Sequence, residues 1–221
     1  MRKLVLLFSF VWYSVIGISQ TDDFSKYLED QIYLTLSYDV LTNTPKVFEH
    51  NGFSGSFSTG FIKDIPLNKE RNFGFGLGLG YGYSAYIQNL RIQDNIGNVV
   101  FAPVDLYKSN WLKQHKLELP IEIRFRGSTA SKYKFWRLYT GIKLSYVIAS
   151  KSKYKDDSVL EEFSNIDFLD KFQYGAILSA GFSTWNLYLY YGLKPIFKDI
   201  VIDNKNFKAK EFKIGLNFYI M

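Results

Sequence analysis

The segment Phe73-Gly74-Phe75-Gly76-Leu77-Gly78-Leu79-Gly80-Tyr81-Gly82-Tyr83-Ser84-Ala85 has two unlike faces. Its odd positions are large and apolar, while Gly74, Gly76, Gly78, Gly80 and Gly82, then Ser84, leave its even positions almost empty. A period of two sustained over a dozen residues specifies a strand. A helix is excluded by the entropic cost of so many glycines. Glycine weakens an ordinary strand as well, so it needs a reason here. Crowding on one side supplies it. The glycine face looks into a narrow space that other side chains fill, and the opposite face has unlimited room. The inside of a small closed barrel and the lipid around it meet that description.

The rest of the composition agrees. Aromatic residues make up 19% of the 221 residues, which favours a surface where Phe, Tyr and Trp are useful outside. The chain has no cysteine, which excludes disulfides, thiolate metal sites and a lipid-anchored cysteine. The formal net charge is +6, and without Arg2 and Lys3 it is about +4. That mild excess sits mostly in predicted loops and turns, and no basic face interleaved with aromatics indicates nucleic-acid binding. Arg2 and Lys3 precede the apolar run Leu4 to Ile18, and Gly17-Ile18-Ser19 supplies the small residues of a cleavage site. Residues 1–19 therefore read as a cleaved signal peptide, with cut before Gln20 or Thr21. The run is shorter than the ~20 residues of a spanning helix. A membrane protein built from the remainder must be a barrel.

After a polar periplasmic tail (20–30), residues 31–221 read as eight strands. Strand one sets Ile32, Leu34, Leu36, Tyr38 and Val40 against Gln31, Tyr33, Thr35, Ser37 and Asp39. Strand two runs from about Phe53 to Ile65, and the glycine segment is strand three. A long loop is expected over Gln88 to His115. Strand four sets Leu117, Leu119, Ile121, Ile123 and Phe125 against Lys116, Glu118, Pro120, Glu122, Arg124 and Arg126. Pro120 cannot donate to the ladder, so a bulge or broken pair is expected there. Strand five spans Trp136 to Ile148, and a charged loop is expected over Ser150 to Lys171. Strands six, seven and eight lie near Phe172–Phe182, Leu187–Lys194 and Phe212–Ile220. Connections alternate long and short. Tight periplasmic turns, longer external loops and an even strand count make an up-and-down antiparallel transmembrane barrel.

Alternation alone does not say which face is inside, since a soluble lipocalin-like barrel has the opposite sense. Volume decides. Eight strands enclose room for little more than their own side chains. About five large apolar residues per strand overfill that space, whereas small residues on strands two, three and six opposite long charged ones on strands four and five fit it.

The predicted lumen charges are Lys116, Glu118, Glu122, Arg124, Arg126, Arg137 and Lys143. The turn between strands four and five places Glu118 near Lys143, and Glu122 within diagonal reach of Arg137. Buried charges require partners, so these predict an ion-pair network filling the lumen. The competing reading is a selectivity constriction in a small pore, or a ligand-binding barrel. His50 and His115, the only histidines, are expected in or beside external loops. Asp105, Ser109 and His115 share one such loop, which raises a rim-located lipid-modifying enzyme; their spacing fixes no triad, and the chain is read as non-enzymatic. Lys108, Lys113, Lys151, Lys153 and Lys155 are external lysines that could meet phosphates of lipopolysaccharide or remain solvated. No cofactor or metal is implied. The glycines lack the Lys-Ser/Thr and helix of a phosphate loop.

At the C-terminus, Lys213, Gly215, Phe218 and Ile220 resemble the signal that barrel-assembly machinery recognises on a last strand; Met221 departs from the usual terminal aromatic residue. Phe61 to Asn68, the glycine strand, Leu117-Glu118-Leu119-Pro120 and Phe135-Trp136-Arg137-Leu138-Tyr139-Thr140-Gly141 resemble the small "porin family" or PorT-like outer-membrane barrels of Bacteroidetes. The resemblance implies an outer-membrane location in a Gram-negative bacterium and an accessory role in type IX protein secretion, with other secretion subunits as partners. It carries over no catalytic or binding residue, since fold does not settle function.

Overall fold

Strands of this alternation satisfy their backbone groups only through neighbours, and a closed ring leaves none of the eight at an edge. The computed structural model describes residues 30–45, 48–49, 52–95, 98–104, 107–127, 135–198, 200–202 and 205–220. The predicted signal peptide and all of the predicted tail but Asp30 lie outside the described residues, as do His50, Asp105 and Met221. The strands are β1 (Gln31–Thr42), β2 (Gly55–Pro66), β3 (Phe73–Ile87), β4 (Leu90–Asn95), β5 (Asn98–Pro103), β6 (Ser109–Arg126), β7 (Trp136–Lys155), β8 (Leu160–Ser164), β9 (Phe172–Phe182), β10 (Trp185–Gly192), β11 (Val201–Ile202), β12 (Lys205–Asn206) and β13 (Lys210–Ile220). Eight of them form the ring β1-β2-β3-β6-β7-β9-β10-β13, which closes by antiparallel pairing of β13 with β1 from Ile32↔Ile220 to Thr42↔Lys210. This is the predicted eight-stranded antiparallel barrel. No helix among the described residues is long and apolar enough to cross a membrane.

The faces fall as volume requires. On β3 the glycines point inward, and Leu77, Leu79 and Tyr81 are exposed outward. Aromatic rows ring both ends of the apolar band. At the short-turn end Phe73 packs on Phe125, Trp136 on Phe182 and Trp185 on Phe218. Toward the long loops Tyr38 packs on Phe53, Tyr83 on His115 and Phe172 on Tyr174. Phe73 to Tyr83 is ten steps of ~3.3 Å, foreshortened by a tilt of ~40° to about 25 Å, the height of an outer-membrane apolar band.

Two expected loops turn out to be largely strand. β6 begins at Ser109, and β4 with β5 forms a hairpin inside the predicted Gln88–His115 loop. β7 runs on to Lys155, and β8 folds back on it, pairing Lys151↔Ser164 through Lys155↔Leu160. The reason lies in the register. His115 pairs with Ala149 but Lys116 with Val147, so Ile148 is an extra residue in β7. This bulge shifts the parity of outward positions by one and interrupts the alternation that marked the strand. The irregularity expected at Pro120 is present on its other side, where the β3–β6 pairing omits Gly78 and Leu79 opposite Pro120 and Leu119.

At the long-loop end an apolar cluster gathers above the lumen charges. Leu41, Tyr86 and Leu112 enter it from β1, β3 and β6. Phe48, Leu90, Ile92, Ile166, Leu169, Ile196, Phe197, Ile200 and Phe207 enter from the four long connections. Backbone bonds tie those connections together: Asp170 N–H to Ile196 O (2.9 Å), Lys198 N–H to Phe168 O (2.8 Å) and Asn89 N–H to Glu49 O (3.3 Å).

Candidate functional site

The glycine face and the lumen charges form one packed unit. A Cβ on Gly76 would stand 2.9 Å from Arg124 Cδ, and one on Gly78 would stand 2.7 Å from both Ile62 and Pro120. On Gly80 it would collide with the Tyr33 hydroxyl, and on Gly82 with the Glu118 carboxylate. Gly74 faces Asp64 and Arg126 at ordinary contact distance. Each empty position on β3 therefore receives a long side chain from across or beside it.

Arg124 is the centre of the lower lumen. Its side chain is fully buried. It donates to Asp64 Oδ1 (3.1 Å), Glu122 Oε2 (3.2 Å) and Gln31 Oε1 (2.7 Å). Its guanidinium lies 4.2 Å from the ring centroid of Tyr139. Arg126 pairs with Asp64 Oδ2 at 2.5 Å and donates to Arg71 O at 2.6 Å. Higher up, Lys143 pairs with Glu118 at 3.1 Å, as the turn geometry predicts. Near the mouth Lys116 pairs with Glu211 at 2.6 Å, and Tyr86 donates to the same carboxylate. Lys213 donates to Asp39 (3.0 Å), Ser84 (2.9 Å) and Ser56 (3.2 Å).

The predicted pairing of Glu122 with Arg137 is not formed. In the observed register Glu122 lies opposite Gly141 and Arg126 opposite Arg137. Glu122 bonds Arg124 two residues along its own strand, and Arg137 turns to the rim, donating to Ser183 O over the Phe135 ring. Asp39, Asp64 and Glu211 complete the network and are missing from the sequence-derived set. Parity points to them: Asp39 follows Ser37 on the inner face, and Glu211 lies two residues before Lys213. Among the described residues the buried charged side chains are six cations, Lys116, Arg124, Arg126, Arg137, Lys143 and Lys213, and five carboxylates, Asp39, Asp64, Glu118, Glu122 and Glu211. So nearly balanced a set suits a filled interior, since an ion-selective constriction calls for a ring of one sign.

Of the proposed sorting residues, Lys213 is thus a lumen cation, and Phe218 and Ile220 lie on the outward face. A Cβ on Gly215 would collide with the backbone of Leu36 on β1, so this glycine permits the seam to close. The possible rim triad is not assembled by the described residues. Ser109 and His115 are six residues apart along β6, about 20 Å. His115 Nδ1 is instead 2.5 Å from the Tyr81 hydroxyl on the outer wall.

Beyond the upper aromatic row the wall is polar outside. Lys151 and Lys153 both pair with Glu162, at 2.8 and 3.0 Å, and hold its carboxyl below the usual range. Asp156, at the tip of the β7–β8 hairpin, accepts the backbone N–H groups of Ser158 and Val159 (2.7 Å each) and the Tyr154 hydroxyl (3.0 Å). Those bonds lower its pKa to about 2. Among the described residues no group of three or more His, Cys, Asp or Glu is placed to hold a metal ion.

No curated protein matches the chain. Among solved structures it is similar to Ail, the attachment invasion locus protein of Yersinia pestis, at 12% identity and a TM-score of 0.37, over 86% of this chain and 97% of that one. A second structure of Ail, in complex with the heparin analogue sucrose octasulfate, gives 10% identity and a TM-score of 0.36, over 87% and 99%. The family model described as outer membrane protein beta-barrel domain matches residues 18–198. With its ring of eight strands, apolar belt and charged interior, the chain belongs to the outer membrane protein β-barrel domain family.

Proposed function

We propose that this outer-membrane barrel works without enzymatic chemistry and without conducting, as a structural or accessory subunit of a larger envelope assembly. The observation that carries the reading is the blocked interior. Arg124, fully buried, is bonded to Asp64 and Gln31 on other strands and to Glu122 on its own, and the apolar cluster lies above them. A route for solute would have to break buried ion pairs, each costing several kcal/mol once one partner is left alone. The resemblance of Leu117–Pro120 and Phe135–Gly141 to PorT-like barrels supports type IX protein secretion as the assembly. Its contacts would then run through the outward aromatics, the short turns or the loops.

Planar-bilayer recording of the purified barrel tests the first half. No stable conductance steps are expected, and steps that change with Arg124→Ala would overturn the reading in favour of a small pore. A mild-detergent pull-down from the native outer membrane tests the second half. Stoichiometric recovery of secretion subunits is the expected result, and recovery of the barrel alone would remove the accessory role.

A further inference from the structure

The outer wall of β6 and β7 changes character above the upper aromatic row. At membrane level its outward residues are apolar: Leu117, Ile123 and Phe125 on β6, and Leu138, Ile142, Tyr146 and Ile148 on β7. Beyond His115 and the Ile148 bulge they are Trp111 and Lys113 on β6, and Lys151, Lys153 and Lys155 on β7. Register brings the lysines together. Lys113 is directly opposite Lys151, and Trp111 is opposite Lys153. Cβ atoms of such cross-strand partners lie ~5 Å apart, and like charges there repel. Among the described residues of β6 to β8, Glu162 is the single carboxylate on this face, shared by Lys151 and Lys153. No described carboxylate pairs with Lys113, whose ammonium lies 4.1 Å from the Trp111 ring centroid. Lys113, Lys151 and Lys153, with one strand carboxylate among them and Lys155 farther along the same face, invite a further anion.

Depth says which anion. Lys113 is one outward position beyond His115, ~7 Å along the strand. His115 packs on Tyr81 and Tyr83 of the aromatic row, with ring centroids 6.0 and 5.2 Å away. Tyrosine and tryptophan mark the headgroup level of a membrane. The lysines therefore stand in or just above that layer, with apolar wall directly beneath for acyl chains. A soluble polyanion would meet the ammonium groups alone, whereas a phosphorylated lipid meets both surfaces at once.

We propose that Lys113, Lys151, Lys153 and Lys155, with Trp111, form a binding site on the barrel's outer wall for the phosphates of a membrane lipid whose acyl chains lie along Tyr146 and Leu117. The site is independent of whether the lumen conducts. It is tested by native mass spectrometry of the folded full chain in detergent, titrated with bisphosphorylated lipid A and with the same lipid dephosphorylated. The bisphosphorylated form is expected to bind the wild type more tightly. Affinity should fall about fivefold for each lysine removed in K113Q, K151Q and K153Q, singly and combined. The K113R/K151R/K153R variant should retain binding. Heat-modifiable migration on a gel certifies each variant as folded, and if the triple glutamine variant does not fold, K113Q and K155Q carry the test. Equal binding of the two lipids, or unchanged binding by folded glutamine variants, would overturn the site. Displacement by millimolar inorganic phosphate would overturn the lipid as its occupant.

Discussion

The lumen at membrane level and the cluster under the long loops are both packed interiors, yet they are built with opposite chemistry. The lower one is made of Arg124, Asp64, Glu118 and Lys143, the upper one of Leu112, Leu169, Phe197 and Phe207. The walls change with them. Around the charges the outside is Leu79, Ile142 and Trp136; around the apolar cluster it includes Lys113 and Lys151. A wall facing lipid commits its apolar residues outward and leaves the inside to polar groups that must satisfy one another. Once the wall meets water, the ordinary hydrophobic sense returns. A single strand, β6, carries both senses, with Arg124 inward below and Leu112 inward above.

This contrast can be broken experimentally. The largest effect is expected from Arg124→Ala, which leaves Glu122 buried without its ion-pair partner and Asp64 with Arg126 alone. A loss of about 3–5 kcal/mol should appear as a lower urea midpoint for unfolding of the detergent-folded barrel. Leu169→Ala opens a cavity in the apolar cluster and should cost about 3 kcal/mol by the same measurement. Its first structural trace should be faster hydrogen exchange at the Asp170 and Lys198 amides. Gly80→Ala forces a methyl group against Tyr33 and should cost about 2 kcal/mol, part of it restored by Tyr33→Phe.

Smaller effects sharpen the same comparison. Replacing Lys143 by Met and Glu118 by Leu together should change stability by no more than about 1 kcal/mol, although either change alone leaves a buried charge. A full-sized loss in the double variant would mean that the lower lumen needs its charges for stability itself. The least effect belongs to Asp156, exposed at the β7–β8 hairpin. Its folded pKa of about 2 lies below the ordinary value near 4. The hairpin's stabilisation by this carboxylate is therefore complete above the ordinary value and is lost as pH falls through about 2. Carbon-13 NMR of the Asp156 carboxyl should show that midpoint, and an unshifted titration would refute the capping role.

How much of this was readable in advance follows the membrane boundary. Where the wall faces lipid, the alternation gave the strands, their inward faces and the Glu118–Lys143 pair, because one period and one polarity run unbroken from Lys116 to Arg126. Above the boundary the period of β6 continues through Trp111 and Lys113, but its polarity inverts, so a strand there reads as a polar loop. On β7 the Ile148 bulge breaks the period itself. The apolar cluster was not legible because Phe48, Leu90, Leu169 and Phe207 come from four separate connections, and nothing local says that they meet. Asp64 and Glu211 follow the parity of β2 and β13 but sit near the strand ends, outside the stretches whose charges mark the lumen most plainly. The Glu122–Arg137 expectation failed because partners two residues apart on one strand competed with those across the ladder.

The fit between β3 and its neighbours bears on how such a chain can diverge. Tyr33 occupies the volume that Gly80 gives up, Arg124 that of Gly76, and Glu118 that of Gly82. Bulk is thus held in common between positions far apart in the sequence, and neither member of a pair is free to vary alone. Homologues that gain a side chain at position 80 are expected to have lost one at position 33. Inheritance across this wall proceeds by exchange of volume between strands, so substitutions here should travel as matched pairs while the loops above vary one residue at a time.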